Sequence, residues 1–190
     1  MLARFQDALV ALAIDRALRR RFEREPDAAL ASFALEPRAK AALVAIPLPH
    51  LDRYASSLEI KRWGEVARVV PRTLKIAPAL PRLYRAWLGA HPAPLTDHVQ
   101  SPGVAEALRA LPAMRAQLAT DEHAVYAADL YAYETHAAAA RSDGVPRTFA
   151  SRFALHAIAR ELDAGVIPID PDPAPHAYRF ERDRIQRRTR

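Results

Sequence analysis

Proline punctuates this chain throughout, and glycine is nearly absent. The sequence has 16 prolines against 5 glycines. A β-sandwich or barrel needs many tight turns, and a phosphate-binding loop needs clustered glycines, so the composition disfavours both. Between the prolines, alanine and leucine recur at helical spacing, and both residues favour helix. The predicted fold class is therefore mainly α, a helical bundle.

Residues 1–146 are predicted to form the helical bundle domain. Apolar residues at helical spacing predict a first helix over residues 2–24. Pro26 and Pro37 stand where proline is tolerated at the start of a helix, so each predicts a short helix.

A long helix is predicted to end at Val70, because Pro71 drives the preceding residue away from helical backbone. A further helix is predicted to stop at Asp143-Gly144, since glycine commonly follows the last helical turn.

Residues 147–190 are predicted to form a C-terminal helix followed by a short β-strand peptide-recognition element. The helix is expected from about Arg147 to Ala164. The helical period then disappears. A short apolar run over 166–169 and an alternating pattern over 177–186 predict a small ribbon of two or three strands. The complete fold prediction is a helical bundle with a small C-terminal β ribbon.

The charge balance points to an acidic partner. The chain has 28 basic and 22 acidic residues, a net charge of +6, and 25 of the basic residues are arginine. A peptide, a protein surface or a nucleic acid would each suit this excess. No cysteine is present, so disulfides and thiol chemistry are excluded. No stretch approaches the roughly 20 apolar residues of a membrane span, and we expect a cytoplasmic protein with no membrane partner.

Residues with catalytic chemistry are scattered. None of the seven histidines forms the i, i+4 pair of a zinc-binding helix, and no nucleophile elbow is present. The most enzyme-like cluster is a stripe on one predicted helix face: Glu122, Tyr126, Asp129, Tyr133 and His136. A half-buried helix edge explains the same spacing, and this interpretation is favoured. We therefore predict that this chain is not an enzyme and that it contains no catalytic residue, metal site or cofactor.

Basic and aromatic residues also mix in the middle of the chain, around Arg62, Trp63, Tyr84 and Trp87. Such a mixture can grip phosphates and stack on bases. However, Tyr84 and Trp87 are three residues apart, a spacing typical of a helix core. We interpret this region as a partner-protein interface or the core beneath it. A helical nucleic-acid-binding regulatory protein remains the alternative.

The C-terminal tail carries six arginines between residues 179 and 190 against Glu181 and Asp183. A short, basic edge strand can accept an extended peptide as an additional strand, and arginines would complement acidic groups on it. A solvated terminus that protects a sheet edge from aggregation is the other interpretation. The candidate peptide-binding residues are Tyr178, Phe180, Arg182, Arg184 and Ile185.

Four segments, in order along the chain, resemble a family labelled as DNA-binding-domain proteins. The segments are "LDRYASSLEIKRWGEVARVVPRT", "LPRLYRAWLGAHPAP", "SPGVAEALRALP" and "YAADLYAYETHAAAA". They contain a tyrosine-bearing helix, a V-x-P-x-T break and a later "aDLyayE" helix. The family includes the partner subunits of multinuclear non-heme iron-dependent oxidases, such as that of methanobactin biosynthesis. The resemblance covers roughly residues 50 to 140.

The resemblance implies a non-catalytic subunit that forms a heterodimer with a TIM-barrel iron oxidase. Such a subunit would bind the leader of a ribosomally synthesised precursor peptide by pairing it with a small sheet. It would then present the peptide for post-translational modification. The iron would belong to the partner enzyme, and nucleic acid is not an expected partner.

Overall fold

The computed structural model describes residues 2–92, 101–120, 123–182 and 184–189. Within these ranges the protein is mainly helical and carries a three-stranded antiparallel sheet near its C-terminus, as predicted. The helices are α1 Leu2–Ile14, α2 Arg16–Arg24, α3 Pro26–Leu30, α4 Pro37–Val44, α5 Leu48–Val69, α6 Pro71–Ile76, α7 Leu80–Ala90, α8 Pro102–Leu118, α9 Ala127–Asp143 and α10 Leu155–Asp163, with a short 3₁₀ turn at Ala31–Phe33.

The three strands are β1 Arg147–Ser151, β2 His176–Phe180 and β3 Ile185–Thr189. They lie in the order β1-β2-β3, so β2 is the central strand. In the part of the chain that the structure describes, no helix is long and apolar enough to span a membrane.

Proline begins helices α3, α4, α6 and α8. The first turn of a helix has no internal partner for its N–H groups, so the missing proline N–H costs nothing there. The predictions for Pro26 and Pro37 are confirmed, and α5 ends at Val69, directly before Val70 and Pro71.

The single helix predicted over residues 2–24 is wrong, because the chain breaks at Asp15. Asp15 has extended backbone and its carboxylate accepts the N–H of Leu18 at 2.9 Å, so it caps a second helix. The buried Arg19 donates to the carbonyls of Leu12 and Ala13, which satisfies the open end of α1.

The helix predicted from about Arg147 to Ala164 starts too early, because residues 147–151 form strand β1; its second half is confirmed as α10, Leu155–Asp163. Phe149 and Ser151 are buried whereas Thr148 and Ala150 are exposed, an alternation of period two. The apolar run over 166–169 is not a strand.

The described chain consists of two compact units. One comprises residues 2–61 with 88–92, and the other residues 62–87 with 101–120, 123–182 and 184–189. The functional division predicted at residue 146 stays a prediction. In the second unit the core includes Leu130, Tyr133, Phe149, Ile158, Tyr178 and Phe180. The sheet therefore buries one face among core residues from α9 and α10 and leaves the other open.

Helix α8 begins unusually close to α5. A Cβ added at Gly103 would lie 2.4 Å from the backbone oxygen of Glu65. Only glycine permits this approach without a backbone shift.

Candidate functional site

Two of the five predicted peptide-binding residues are core residues. Tyr178 and Phe180 are 1% and 0% exposed. Their rings pack edge-on against Tyr133, with centroids 5.0 and 5.3 Å apart. The pleat puts both residues on the helix-facing side of β2, so their side chains are shielded from a peptide.

The other three predicted residues, Arg182, Arg184 and Ile185, are exposed at the turn into β3 and at its start. Glu181 holds two arginines at the turn, Arg184 at 3.6 Å and Arg179 at 3.0 Å. The exposed part of the candidate site is therefore the turn together with strand β3.

Strand β3 is an edge strand, and among the described residues it pairs only with β2. The N–H of Glu181 donates to the carbonyl of Arg184 at 2.9 Å, which makes these two residues a hydrogen-bonded pair. Bonded and non-bonded pairs alternate along an antiparallel ladder. The N–H and C=O groups of Ile185, Arg187 and Thr189 therefore point away from β2, where another strand could bond them.

Strand β1, at the opposite edge, is tied to helix α9. Arg147 forms a close ion pair with Asp143, and the Ser151 hydroxyl donates to Asp129 at 2.9 Å. The guanidinium of Arg147 lowers the pKa of Asp143 to about 2. The β3 edge adjoins the three exposed residues predicted to bind a peptide, so it is our candidate for binding an additional strand.

A groove runs beside β3 on its helix-facing side, and we call it the β3 groove. Two adjoining cavities form it and share Tyr133, His156, Arg160 and Ile185. Helices α6, α9 and α10 supply its walls. Its polar lining includes Arg72, Tyr133, Arg141, His156, Arg160 and Arg187.

The cations of the β3 groove fall into two groups. Arg72 is engaged, because its guanidinium donates to both oxygens of Asp163 at 2.9 and 2.7 Å. For Arg141, Arg160 and Arg187, by contrast, no carboxylate of the described residues lies within ion-pair distance. Among the described residues, the groove therefore has an uncompensated positive charge.

Burial and the neighbouring arginines shift the pKa values of two titratable groups in the groove, His156 and Tyr133. Burial lowers the pKa of His156, and Arg187, His176 and Arg160 lower it further. Burial raises the pKa of the Tyr133 phenol, which Arg72, Arg187 and Arg141 oppose. A neutral imidazole and a neutral phenol surrounded by guanidinium groups suit a negatively charged ligand.

Glu134 fixes the wall of the groove that α6 provides. One of its carboxylate oxygens accepts the N–H of Arg72 at 3.0 Å; the other accepts the N–H and hydroxyl of Thr73 at 2.9 and 2.8 Å. The carboxylate of α9 thus caps the first turn of α6. Thr73 belongs to the V-x-P-x-T break and Glu134 to the "aDLyayE" helix, so two motifs distant in sequence meet here.

The region around Arg62, Trp63, Tyr84 and Trp87 is largely core. Arg62, Tyr84 and Trp87 are buried and Trp63 is half-buried. One oxygen of Glu106 accepts from Arg62 at 2.8 Å, from the Tyr84 hydroxyl at 2.9 Å, and from Arg109 at 2.7 Å. Of the two interpretations offered by the sequence, these side chains fit the core beneath a surface.

The stripe on α9 is largely used in packing. The Tyr126 hydroxyl donates to the carbonyl of Pro168, and Asp129 accepts from Arg115 and Ser151. His136 lies among aromatic rings, with centroids 5.8 Å from Phe149 and 6.3 Å from Phe180. Glu122 lies outside the described residues. Within the described ranges, no group of three potential metal ligands is close enough to hold an ion.

The position of His136 predicts acid sensitivity. Burial lowers its pKa, and Arg147 and Arg115 lower it further. As the pH falls, His136 is therefore protonated in the unfolded chain before it is protonated in the folded protein. The stability that neutral His136 contributes is complete above about pH 6.5 and is lost as the pH falls below that value.

We expect His136→Gln to lose less stability than the wild type between about pH 7 and about pH 5. Urea unfolding at both pH values measures this difference, with His50→Gln, an exposed histidine, as the control. His156 contributes in the same direction, so some slope should remain. Equal slopes for wild type and His136→Gln would contradict the prediction.

Comparison with known proteins found no matching protein-family model, curated sequence or solved structure. The family resemblance therefore rests on the quoted motifs alone.

Proposed function

We propose that this chain is a non-catalytic partner subunit of a multinuclear non-heme iron-dependent oxidase. It binds an extended segment of a ribosomally synthesised precursor peptide and presents the peptide for modification. The observation that carries the peptide-binding part is the exposed edge of β3, whose outward backbone groups lie beside the exposed arginines Arg182, Arg184 and Arg187.

Binding along β3 would extend the sheet by a fourth strand. The peptide would exchange backbone hydrogen bonds with Ile185 and Arg187, which supplies affinity without depending on peptide sequence. Arg182 and Arg184 would meet one end of the peptide at the turn. The exposed arginines on and beside β3 also disfavour pairing of this edge with a second copy of the chain, because like charges would face one another.

The oxidase as partner is supported by the V-x-P-x-T and "aDLyayE" motifs and by their order in the chain. The iron and the oxidation chemistry are assigned to the partner enzyme, in which a TIM barrel would hold the metal. Residues of this chain bind and position the peptide only.

Purification of the tagged protein from its native host, with mass spectrometry and metal analysis, tests the proposal. We expect an iron-containing partner of TIM-barrel size in stoichiometric amount, together with a short encoded peptide. Recovery with nucleic acid and without a protein partner would support the regulatory alternative and overturn the proposal.

The variant Ile185→Pro tests the role of the β3 edge. The N–H of Ile185 points away from β2, so proline removes a donor from the outer edge and none from the native ladder. We expect peptide recovery to fall about tenfold or more, with the oxidase retained.

The matched control is Ile185→Val, which keeps the N–H and a β-branched side chain. It should recover peptide like the wild type. Full peptide recovery with a folded Ile185→Pro variant would remove β3 from the proposed function.

A further inference from the structure

In the described part of the β3 groove, arginines outnumber the carboxylates that pair with them. Arg72 is paired with Asp163 and Glu134, and the groove carboxylates are thereby occupied. Arg141 on α9, Arg160 on α10 and Arg187 on β3 line the same groove from three elements. Like charges brought together without a counter-charge repel one another, so a bound anion would stabilise this arrangement.

The pleat of the sheet relates this groove to the β3 edge. Ile185 pairs with Phe180 and Arg187 with Tyr178, so both β3 side chains lie on the helix-facing side of the sheet. Directly opposed residues of neighbouring strands have side chains on the same face. In a strand added beside β3, every second side chain would therefore point toward the groove.

We infer that the β3 groove recognises acidic side chains at alternate positions of the peptide that pairs with β3. This inference rests on the proposed binding of an extended peptide, and it adds the chemical class of residue that is read. Guanidinium groups bind carboxylates through charge-assisted hydrogen bonds. Arg160, Arg187 and His156 line one cavity of the groove, and Arg141 lines the adjoining cavity.

The lining of the groove favours an acidic peptide over a nucleic acid. Ala137 and Ala159 contribute small apolar surfaces to the same lining as Arg141 and Arg160. The methylene groups of a glutamate can pack there while its carboxylate reaches a guanidinium. The outward backbone groups of Ile185 and Arg187 are also matched by a peptide backbone and by no regular element of a nucleic acid.

Titration calorimetry on the intact chain with short blocked peptides tests the inference. In the first peptide glutamate alternates with threonine; in the second glutamine replaces glutamate. A third has the composition of the first, with its glutamates adjacent. We expect the alternating glutamate peptide to bind about tenfold tighter than either of the others, because only alternating glutamates all face the groove.

The double variant Arg141→Gln/Arg160→Gln should abolish the preference for the alternating glutamate peptide and leave the affinity for the glutamine peptide unchanged. Its control is Arg38→Gln/Arg53→Gln, which removes the same charge from exposed arginines of the other unit. The control should retain the preference, and circular dichroism should show that both variants are folded.

The outcomes separate this inference from the proposed function. Equal affinity for glutamate and glutamine peptides, with both lost in Ile185→Pro, would overturn groove recognition and leave edge binding intact. Equal affinity for alternating and adjacent glutamates would reduce the effect to general charge attraction and would also overturn it. Absence of binding by all three peptides, or a preference for single-stranded nucleic acid that Arg141→Gln/Arg160→Gln abolishes, would overturn it as well.

Discussion

Replacing Glu106 with alanine is expected to lower the free energy of unfolding by about 3–5 kcal/mol. The side chain of Glu106 is 3% exposed, and one of its oxygens accepts hydrogen bonds from Arg62, Tyr84 and Arg109. Alanine would leave the 6%-exposed Arg62 side chain without its counter-charge. Removing one partner of a buried ion pair costs far more than the intact pair contributes, because the remaining charge is desolvated and unpaired.

Thermal and urea unfolding measure this effect. For a chain of this length, the loss corresponds to a decrease in Tm of roughly 10 °C. Tyr84→Phe removes one of the three donors and should cost about 1 kcal/mol. Combined with Glu106→Ala, it should cost little more, since its hydrogen-bond partner is already absent.

An exposed ion pair supplies the matched control for Glu106. Lys40 and Asp27 lie 2.6 Å apart, with the side chain of Asp27 85% exposed. Asp27→Ala should change the stability by less than about 1 kcal/mol. A Glu106→Ala variant as stable as Asp27→Ala would show that the three-donor arrangement does not form in the folded protein.

Much of the helical architecture follows from local signals in the sequence. Pro26, Pro37 and Pro71 fix helix starts because proline has one allowed φ and no N–H. Asp15 is also a local signal, because an N-cap residue there is followed by helix formers. The apolar residues continue at helical spacing across Asp15, however, and this spacing predicts a single helix. Periodicity alone cannot distinguish one long helix from two helices in sequence.

Strand β1 could not be predicted in the same way. Phe149 and Phe153 are four residues apart, which is typical of one helix face, and Arg147–Ser151 is too short for its alternation to stand out. The strand exists because β2, some thirty residues later, pairs with it from Arg147↔Phe180 to Ser151↔His176. A pairing partner so distant leaves no trace in a short sequence window.

The candidate site shows the same limit. The alternation of Tyr178 and Phe180 with charged residues is visible in the sequence, but the element that covers their face is not. The sequence therefore predicts that both residues bind the peptide, although the pleat buries them against the helices. The β3 groove combines residues of helices α6, α9 and α10 with residues of strand β3. The sequence indicates parts of the groove, because Tyr133 and Arg141 are eight residues apart on α9 and His156 and Arg160 are four apart on α10. Each pair predicts one helix face, and only the fold brings the faces together.

Replacing Glu134 with alanine is the second change for which we expect a large effect. Glu134 is 4% exposed and accepts three hydrogen bonds from Arg72 and Thr73 in the first turn of α6. Alanine would leave the buried N–H and hydroxyl of Thr73 without an acceptor. We expect a loss of about 3 kcal/mol or more, because each unsatisfied buried donor costs on the order of 1–3 kcal/mol.

Two comparison variants separate the cap from the ion pair at the same arginine. Glu134→Gln keeps one carbonyl acceptor but directs an amide N–H toward α6 donors, so its stability should lie between those of wild type and alanine. Asp163→Ala removes the exposed partner of Arg72 and leaves the cap intact, so its effect should be much smaller. Urea unfolding ranks the three variants. If Asp163→Ala costs as much stability as Glu134→Ala, the surface ion pair between α6 and α10 fixes α6 as strongly as the cap does, and the prediction that the cap dominates is contradicted.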